Sequence, residues 1–333
     1  MEISVVIPAF NAAKTLGKCL DAFSNSTRKP KEIIVVNDNS TDNTLEIANH
    51  YETTILHNTG SNGANICRNM GANAAIGDIV LFIDSDIKIH PDTIEKIHLE
   101  FSDSSTTAVV GCYSAFPEQK GILTKYKNLW IRYSYLQSQK KIDWIFGAVS
   151  AIKTDVFKAL GGFNADLHAK HGVDDLEFGK RLISSGYIII LNKEVEVDHL
   201  KEFTFKSFVK NEFMRSLWFI TLAGEFNQVT ESVKSGFVNI YPSFILSTLL
   251  SWPTFLFIIM SLFFPNYFII PLIFLVVLFL LNYKFLKYFT KIFGVINGLI
   301  SFFVLFLDYL VCTLGSLLGV TLLLFNYLAS NEK

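Results

Sequence analysis

The first 110 residues alternate between short β-branched runs and stretches whose apolar residues recur at helical spacing. Residues 4–7 and 32–36 are apolar runs of strand length, and Leu16, Leu20 and Phe23 between them recur every three or four positions. These spacings predict a strand, a helix and a second strand.

The same alternation continues along the chain with a predicted helix at residues 44–51 and a predicted strand at residues 78–83. It predicts an α/β domain with a doubly wound, mostly parallel sheet. Sheets of this type bind ligands beyond the carboxyl ends of their strands. Polar segments follow three of the predicted strands, at residues 8–11, 37–42 and 84–86. We therefore expect a binding site formed by these three segments.

The C-terminal part has a different pattern, because residues 235–283 contain no Asp, Glu, Lys or Arg. Two apolar segments, 244–264 and 267–283, are separated by Pro265 and Asn266 and predict a helical hairpin of membrane-spanning length. A soluble core would not need so long an uncharged stretch. We predict an α-helical membrane region.

The last apolar segment, residues 292–328, carries one acidic residue, Asp308. It fits either one tilted span followed by an interfacial helix or a second hairpin, so the membrane region over residues 241–331 is predicted to have two to four helices. An acidic residue facing lipid is costly, and Asp308 is expected to face another helix or to lie near headgroups.

Charge predicts how the chain is oriented at the membrane. Lys284, Lys287 and Lys291 are expected to form a basic loop, which the positive-inside rule places in the cytosol. The N-terminus enters a strand without a basic region followed by an apolar one. These features predict an integral protein of the cytoplasmic (inner) membrane whose first domain lies in the cytosol.

Composition excludes several classes of function. The formal net charge of −1 gives no electrostatic support to nucleic-acid binding. The four cysteines lack the paired spacing of a zinc site or a disulfide framework.

Domain divisions follow from these patterns. Residues 1–202 are predicted to form the first domain, in two halves at 1–110 and 111–202 because the pattern changes after residue 110. Residues 203–240 mix Phe, Trp and Leu with Lys and Arg, as expected of helices at a membrane interface.

The triplet Asp84-Ser85-Asp86 follows an apolar strand directly. Two carboxylates one residue apart can present oxygens to a hard cation, which neutralises a diphosphate as it leaves. Acidic turns after strands are common, so the triplet alone is weak evidence for a metal site. The neighbouring segments strengthen this interpretation.

Three segments in this order, residues 4–11, 35–42 and 77–86, resemble the first strand, the nucleotide-binding turn and the DXD strand of the family-2 glycosyltransferases of the GT-A fold. The resemblance covers about the first 215 residues and implies that residues 1–202 are a cytosolic catalytic domain, with a nucleotide-sugar-binding half at 1–110 and an acceptor half at 111–202. It implies a GT-A domain that transfers a sugar, of hexosyl type, from a UDP- or GDP-sugar with Mn²⁺ or Mg²⁺. Asn37 and Ala12 depart from the family's usual Asp and Glu, which leaves the nucleotide base open.

The resemblance also implies individual roles. Asp38 is expected to contact the base, Arg68 to lie near base or phosphate, Asp84 to face the ribose and Asp86 to bind the metal. In relatives a His at the position of His199 can complete the metal's coordination, which would favour manganese modestly. The remaining residues expected at the nucleotide sugar are Pro8, Ala9, Asn11 and Ser85. The plain alternatives are a turn-capping Asp, a surface Arg and a polar strand-end His.

Residues 173–182 resemble the family's Glu-Asp motif, with Asp174 in place of the usual Glu. Inverting sugar transfer needs a carboxylate that takes the proton of the acceptor hydroxyl, and Asp175 is the candidate base. Asp174 would orient Asp175 or face the acceptor. Acidic residues are also favoured at a helix start by the helix dipole alone.

Three further residues have two interpretations each. Arg215 would bind the donor diphosphate or pair with lipid headgroups. Trp144 and Gly147 lie on what resembles the acceptor-side strand, where a Gly lets substrate approach the backbone and an aromatic ring can stack on a sugar. Core packing is the alternative for both, and for Trp144 it is the stronger one.

A membrane region fused to a sugar transferase predicts a lipid-linked acceptor, either a polyprenyl phosphate or a lipid-linked saccharide, in cell-envelope glycan or glycolipid synthesis. Two other functions stay open. A processive polysaccharide synthase would carry a Gln-x-x-Arg-Trp motif, which this sequence lacks. A catalytically idle GT-A-like module for a membrane assembly would not need the intact acidic residues.

Overall fold

A computed structural model describes residues 1–167, 174–225 and 242–331. The chain divides into two compact units. The first contains residues 1–120 and 134–202, and the second contains residues 121–133 and the chain from residue 203 onward. The segment 121–133, which we predicted to belong to the acceptor half, is thus part of the second unit.

The described residues of the first unit contain nine strands in one sheet: β1 (Ile3–Ala9), β2 (Glu32–Asn37), β3 (Thr54–His57), β4 (Ile79–Ile83), β5 (Ile87–Ile89), β6 (Thr106–Tyr113), β7 (Lys141–Ile142), β8 (Val149–Lys153) and β9 (Ile188–His199). Their order is β3-β2-β1-β4-β8-β6-β9-β5, and β7 pairs with β9 off this path. The helices that follow or precede them are α1 (Leu16–Ser24), α2 (Thr44–Ala48), α3 (Ala64–Ala74), α4 (Thr93–Glu100), α5 (Ile122–Gln137), α6 (Thr154–Ala159) and α7 (Asp174–Ser184).

The sheet has a parallel half and a mixed half. Strand β1 is parallel to both β2 and β4, and β2 is parallel to β3. Strand β8 is antiparallel to β4 and β6, and β5 and β7 are antiparallel to β9. The predicted α/β class is confirmed. The regular strand-helix alternation of the sequence stops near residue 110, and antiparallel neighbours do not need a helical crossover between them.

Burial explains why these strands formed such clear sequence signals. Strands β1, β4 and β6 are buried along their whole length, as expected of continuous apolar runs inside an α/β sheet. Phe82 on β4 packs against Phe157, with ring centroids 5.1 Å apart, and Phe163 packs against Phe178 at 5.0 Å. These aromatic contacts connect the central strand β4 to α6 and α7.

The second unit is helical where it is described, with α8 (Phe205–Glu225), α9 (Pro242–Phe263), α10 (Ile269–Phe293) and α11 (Val295–Asn331) in addition to the start of α5. In this part of the chain three segments are long and apolar enough to cross a membrane: Pro242–Phe263, Pro265–Phe293 and Val295–Phe325. The last apolar segment is one continuous helix, α11. This excludes the second hairpin, one of the two alternatives left open above. Helix α8 covers the first part of the predicted interfacial region, and residues 226–241 lie outside the described residues.

One expectation was wrong. Lys284, Lys287 and Lys291 do not form a loop but belong to the last turns of α10. Lysine is a good helix former, and a cation near a helix C-terminus is favoured by the helix dipole. The helix ends instead at Gly294, whose φ of 84° suits glycine, and α11 begins at the next residue.

Buried charges connect the helices of the second unit. The Glu212 carboxylate lies 2.5 Å from Lys127 Nζ and 2.9 Å from Arg215 Nη2. Burial opposes its ionisation, but Arg215 and Lys127 outweigh burial and lower the pKa of Glu212 to about 2. Asp308 is fully buried and accepts a hydrogen bond of 2.8 Å from Tyr126 Oη. It therefore faces neighbouring helices.

Candidate active site

The turns after β1 and β2 lie side by side because Ala9 pairs with Asn37 in the sheet register. The Asn11 side-chain oxygen accepts a hydrogen bond of 2.9 Å from the backbone N–H of Thr41. Asn11 and Asn39 have φ values of 47° and 57°, a left-handed conformation that Asn tolerates better than most residues. Strained turns of this kind are enriched at functional sites.

Asp38 follows β2, and its carboxylate is buried. It accepts hydrogen bonds from Asn58 Nδ2 at 2.6 Å and from the Gly63 N–H at 2.8 Å. Asp38 thereby fixes the loop between β3 and α3. Each carboxylate oxygen has two lone pairs, so Asp38 can accept a further hydrogen bond from a nucleotide base. That contact stays a prediction.

Asp84 and Asp86 lie on the tight turn between β4 and β5, where the Ile87 N–H donates to the Asp84 carbonyl at 3.0 Å. Strand β5 pairs antiparallel with β9, and Ile87 is opposite His199. This pairing places His199 Nε2 3.5 Å from Asp86 Oδ2. Ser85 between the two aspartates is half-buried.

A divalent cation fits the chemistry of this pair. A carboxylate and an imidazole 3.5 Å apart can point at one ion, and the combination of oxygen and nitrogen ligands suits manganese better than magnesium. Burial works against ionisation of Asp86, but its interaction with His199 outweighs burial and lowers the pKa of Asp86. Asp86 is thus ionised in the metal-free protein, and a metal bound by both residues would replace the proton that they share.

Arg68 on α3 lies among carboxylates. Its guanidinium is buried, donates to Asp84 Oδ1 at 2.6 Å and lies 3.6 Å from Asp174 Oδ2. A side chain at Gly147 would collide with it, since a Cβ there would lie 2.6 Å from Arg68 Nη2 and 2.8 Å from Asp175 Oδ1. Gly147 thus gives room to the Arg68 and Asp175 side chains. Arg68 connects the triplet to the start of α7.

Asp175 has the properties of a general base. Its Oδ2 accepts a hydrogen bond of 2.9 Å from the Gly147 N–H, and its Oδ1 is buried with no hydrogen-bond partner among the described residues. Burial and the charge of Asp174 raise the pKa of Asp175 to about 7, against the opposing effect of Arg68. A carboxylate with a pKa near neutrality can both take up and release a proton under physiological conditions.

The middle of α7 is fixed by close packing. Gly179 lies so near the preceding segment that a Cβ would be 2.5 Å from Trp144 Cα and 2.8 Å from the Asp143 carbonyl oxygen. Lys180 pairs with Asp143. Trp144 is 4% exposed and packs against Tyr135 with ring centroids 4.5 Å apart. Trp144 therefore packs in the core. Its low exposure does not support the predicted contact with an acceptor.

Replacing Gly179 by Ala is expected to lower the free energy of unfolding by about 3 kcal/mol, because backbone atoms cannot give way to the added methyl group. Gly17 on α1 provides a matched control, since the nearest atom to its Cβ would be Tyr51 Oη at an ordinary 3.6 Å. Gly17→Ala should be neutral or stabilising by up to about 1 kcal/mol. Thermal unfolding of the full-length chain in detergent measures both. Equal melting temperatures for the two variants would show that α7 does not pack on Trp144 in this way.

The first unit brings together most of the residues that the sequence predicted. The predicted residues that belong to the first unit are Pro8, Ala9, Asn11, Asp38, Arg68, Asp84, Ser85, Asp86, Gly147, Asp174, Asp175 and His199. Arg215 belongs to the second unit, where it pairs with Glu212. Its contact with a donor diphosphate stays a prediction.

Sequence reasoning missed Tyr113 and Asn58. The Tyr113 ring stacks on His199 with centroids 4.5 Å apart and ring planes within 11°, so it fixes the orientation of the imidazole. Tyr113 ends β6, and strand ends were the expected place for functional residues. Asn58 holds Asp38 through the 2.6 Å bond, and it too follows a strand directly.

Two known families match residues in the first 204 positions of the chain. Residues 4–160 match the family described as Glycosyl transferase family 2. Residues 128–204 match the family described as the N-terminal domain of galactosyltransferase.

Individual relatives agree with the family match. The chain is 36% identical over 125 residues to glycosyltransferase GlyA of Streptococcus pneumoniae, a match that covers 36% of this chain and 18% of GlyA. The chain therefore spans less than a fifth of that relative. It is 25% identical to the O-antigen chain rhamnosyltransferase RfbN of Salmonella typhimurium over 65% of this chain and 70% of RfbN.

Among solved structures, the mannosyltransferase PcManGT from Pyrobaculum calidifontis, in complex with GDP-Man and Mn²⁺, aligns with a TM-score of 0.60. The alignment covers 96% of this chain and 87% of PcManGT at 15% identity, and so shows a shared fold. Residues 4–160 of this chain are thus identified as a family 2 glycosyltransferase domain, and the chain has the GT-A fold.

Proposed function

We propose that the chain transfers a sugar, with inversion, from a nucleotide-diphospho-sugar to a lipid-linked acceptor, using a divalent metal. The observation that carries this proposal is the Asp175 Oδ1 atom, which is buried without a hydrogen-bond partner among the described residues, on the same unit as the Asp86–His199 pair. A base and a candidate metal site are the two elements that inverting transfer requires.

In the proposed reaction the acceptor hydroxyl oxygen forms a bond to the anomeric carbon of the donor. The bond from that carbon to the diphosphate oxygen breaks, and the nucleoside diphosphate leaves with the bonding electron pair. The hydroxyl proton passes to Asp175 Oδ1. The Gly147 N–H holds the other carboxylate oxygen at 2.9 Å and so fixes the direction in which Oδ1 points. Asp174 would orient Asp175 or contact the acceptor.

Asp86 and His199 would hold the metal, with Asp84 beside them on the same turn. When bound, Mn²⁺ or Mg²⁺ neutralises the negative charge that develops on the diphosphate. PcManGT, which shares the fold, was solved with Mn²⁺ and GDP-Man. The imidazole ligand leads us to propose manganese as the better metal here.

The turns after β1 and β2 are the proposed nucleotide site. Asp38 would contact the base and Asp84 would face the ribose, and Asn11, Pro8 and Ala9 would contribute further contacts to the nucleotide sugar. The nucleotide stays a choice between UDP and GDP, because Asn37 replaces the family's usual Asp. Arg68 would place its positive charge beside the donor phosphates, and Arg215 is proposed to bind the diphosphate.

The acceptor is proposed to be a polyprenyl phosphate or a lipid-linked saccharide, in envelope glycan or glycolipid synthesis. Three helices of membrane-spanning length support a membrane-bound enzyme, and a lipid-linked acceptor would present its reactive head at the bilayer surface. RfbN, one of the relatives, is an O-antigen chain rhamnosyltransferase. We further propose that the enzyme lies in the inner membrane with its first unit in the cytosol.

A transfer assay tests this function. The full-length chain in detergent is incubated with radiolabelled UDP- and GDP-sugars, Mn²⁺ or Mg²⁺, and either a total lipid extract or soluble saccharides. We expect label to enter the organic phase and to stop doing so when EDTA is added. Label that moves only to soluble saccharides would contradict the lipid acceptor. A ladder of products would indicate a processive synthase, and no transfer from any donor would favour an idle module.

A further inference from the structure

A concave apolar groove lies in the second unit, where α10 ends and α11 begins. It has a volume of about 450 Å³, and rings and aliphatic side chains such as Phe279, Leu299 and Phe302 line most of it. Two cations, Lys287 and Lys291, line it as well. An apolar groove with a cationic part has the chemistry of a site for a lipid that carries a negative headgroup.

The two lysines are spaced by four residues, so they lie on one face of α10 about one turn, or ~5.4 Å, apart. Both are exposed. In the described part of the chain no carboxylate forms an ion pair with either. Two uncompensated ammonium groups one helical turn apart can donate to the oxygens of a single phosphate between them.

Their depth along the helix also fits a phosphate. Lys287 lies 18 residues after the start of α10 at Ile269, a rise of roughly 27 Å. The hydrocarbon core of a bilayer is about 30 Å thick. If α10 begins at one interface, the lysines therefore reach the headgroup level of the other, while the apolar part of the groove stays at the level of acyl chains.

Close contact between the helices forms the groove. A Cβ at Gly298 would lie 2.1 Å from Thr290 Oγ1, so the first turns of α11 approach the last turns of α10 closely at this point. Both residues belong to the groove lining. The sharp turn at Gly294 between the two helices leaves the concavity open on the lipid-facing side, where Val295 and Leu299 are exposed.

We infer that this groove binds an anionic phospholipid of the surrounding bilayer, with its phosphate between Lys287 and Lys291 and an acyl chain along the apolar lining. Two observations favour this occupant: the positive charges of Lys287 and Lys291 complement a phosphate, and their position along α10 matches the headgroup level. The inference does not depend on sugar transfer, since it rests on residues of the second unit alone.

Native mass spectrometry of the full-length chain tests the inference. Detergent-solubilised protein is titrated with phosphatidylglycerol and with phosphatidylcholine of the same chains, which has the same phosphate but no net charge. We expect the wild type to retain phosphatidylglycerol preferentially. Lys287→Gln and Lys291→Gln should each reduce this retention about five-fold, as expected for the loss of one lysine at a membrane surface, and should leave phosphatidylcholine unchanged.

Lys284→Gln is the matched control, because Lys284 is exposed on the same helix but does not line the groove. It should retain phosphatidylglycerol like the wild type. Leu299→Trp keeps every charge but fills the groove, and should reduce phosphatidylglycerol retention without lowering the melting temperature.

Three results would overturn the inference. An equal loss for Lys284→Gln and Lys287→Gln would indicate a diffuse surface field. Full retention by Leu299→Trp would mean that the groove holds no chain. A polyprenyl phosphate that displaces phosphatidylglycerol at equal concentration would identify a different occupant. Should Lys287→Gln lower the melting temperature, the comparison of Leu299→Trp with the wild type still decides.

Discussion

Replacing Asp175 by Asn is expected to lower kcat for sugar transfer by about 10²- to 10⁴-fold, the range attributed to a general base. The amide keeps an oxygen that can accept the hydrogen bond from the Gly147 N–H, so the local structure should persist. It cannot take up the acceptor proton. Nucleotide-sugar binding, measured by calorimetry, should be nearly unchanged, because the substitution affects the chemical step.

The pH dependence of the reaction should report on the same carboxylate. With a pKa raised to about 7, Asp175 is protonated and inactive as a base at pH 5.5 and ionised at pH 8.5. The wild-type kcat should therefore rise with pH through about 7. The residual activity of Asp175→Asn should lack this rise.

Stability provides an independent check. Between about pH 4 and 7 the folded state keeps a proton on Asp175 that the unfolded state has lost, so this group makes the fold less stable as pH rises through that window. Asp175→Asn should remove that part of the decline. The variant should melt at the same temperature as the wild type near pH 4 and at a higher temperature at pH 8.

Asp155→Asn is the matched control, because Asp155 is an exposed acidic residue in the first turn of a helix, α6, in the same unit. It should leave kcat and its pH profile unchanged. Wild-type turnover by Asp175→Asn would remove Asp175 from the mechanism and would favour the idle-module reading. A loss of activity together with a loss of folding would show that the carboxylate is structural.

Replacing Asp86 by Asn is expected to reduce kcat/KM at least about 100-fold, since a catalytic metal contributes several kcal/mol to the transition state. The amide loses the charge that holds a divalent cation. Binding of Mn²⁺ in the presence of nucleoside diphosphate, followed by electron paramagnetic resonance, should weaken in parallel. This readout does not depend on turnover.

Asp103→Asn controls for the loss of a carboxylate, because Asp103 is exposed and, among the described residues, its carboxylate accepts hydrogen bonds only from Ser105. It should bind Mn²⁺ like the wild type. If Asp86→Asn also binds Mn²⁺ normally, the metal site is elsewhere. If it loses Mn²⁺ but keeps full activity, the reaction does not use the metal.

The strands β2 and β4, which precede two of the site's turns, were predictable because they are mostly buried. The predicted strands at 32–36 and 78–83 correspond closely to β2 and β4, where a continuous apolar run leaves few alternatives. Helix α3, which carries Arg68, was not predicted. Its residues include Gly, Asn and Ala and form only a weak apolar stripe, so tertiary packing determines it.

The site residues were predictable where they directly follow a predicted strand or begin a predicted helix. Asp84 and Asp86 follow a strand, and Asp174 and Asp175 begin a helix. The ion pair of Arg68 with Asp84 and the stacking of Tyr113 on His199 could not be predicted from the neighbouring sequence. Those contacts join segments far apart in the sequence, and they depend on the order of strands in the sheet.

The pairing of β5 with β9 has a consequence for how this site tolerates change. Side chains alternate between the faces of a sheet, so a shift of β9 by a single residue would turn His199 to the opposite face from the one it occupies beside Asp86. The distance between the two metal-ligand candidates is therefore encoded in strand register. Deleting one residue within Ile188–His199 would dismantle the pair even with both side chains intact, whereas many substitutions along the strand would not.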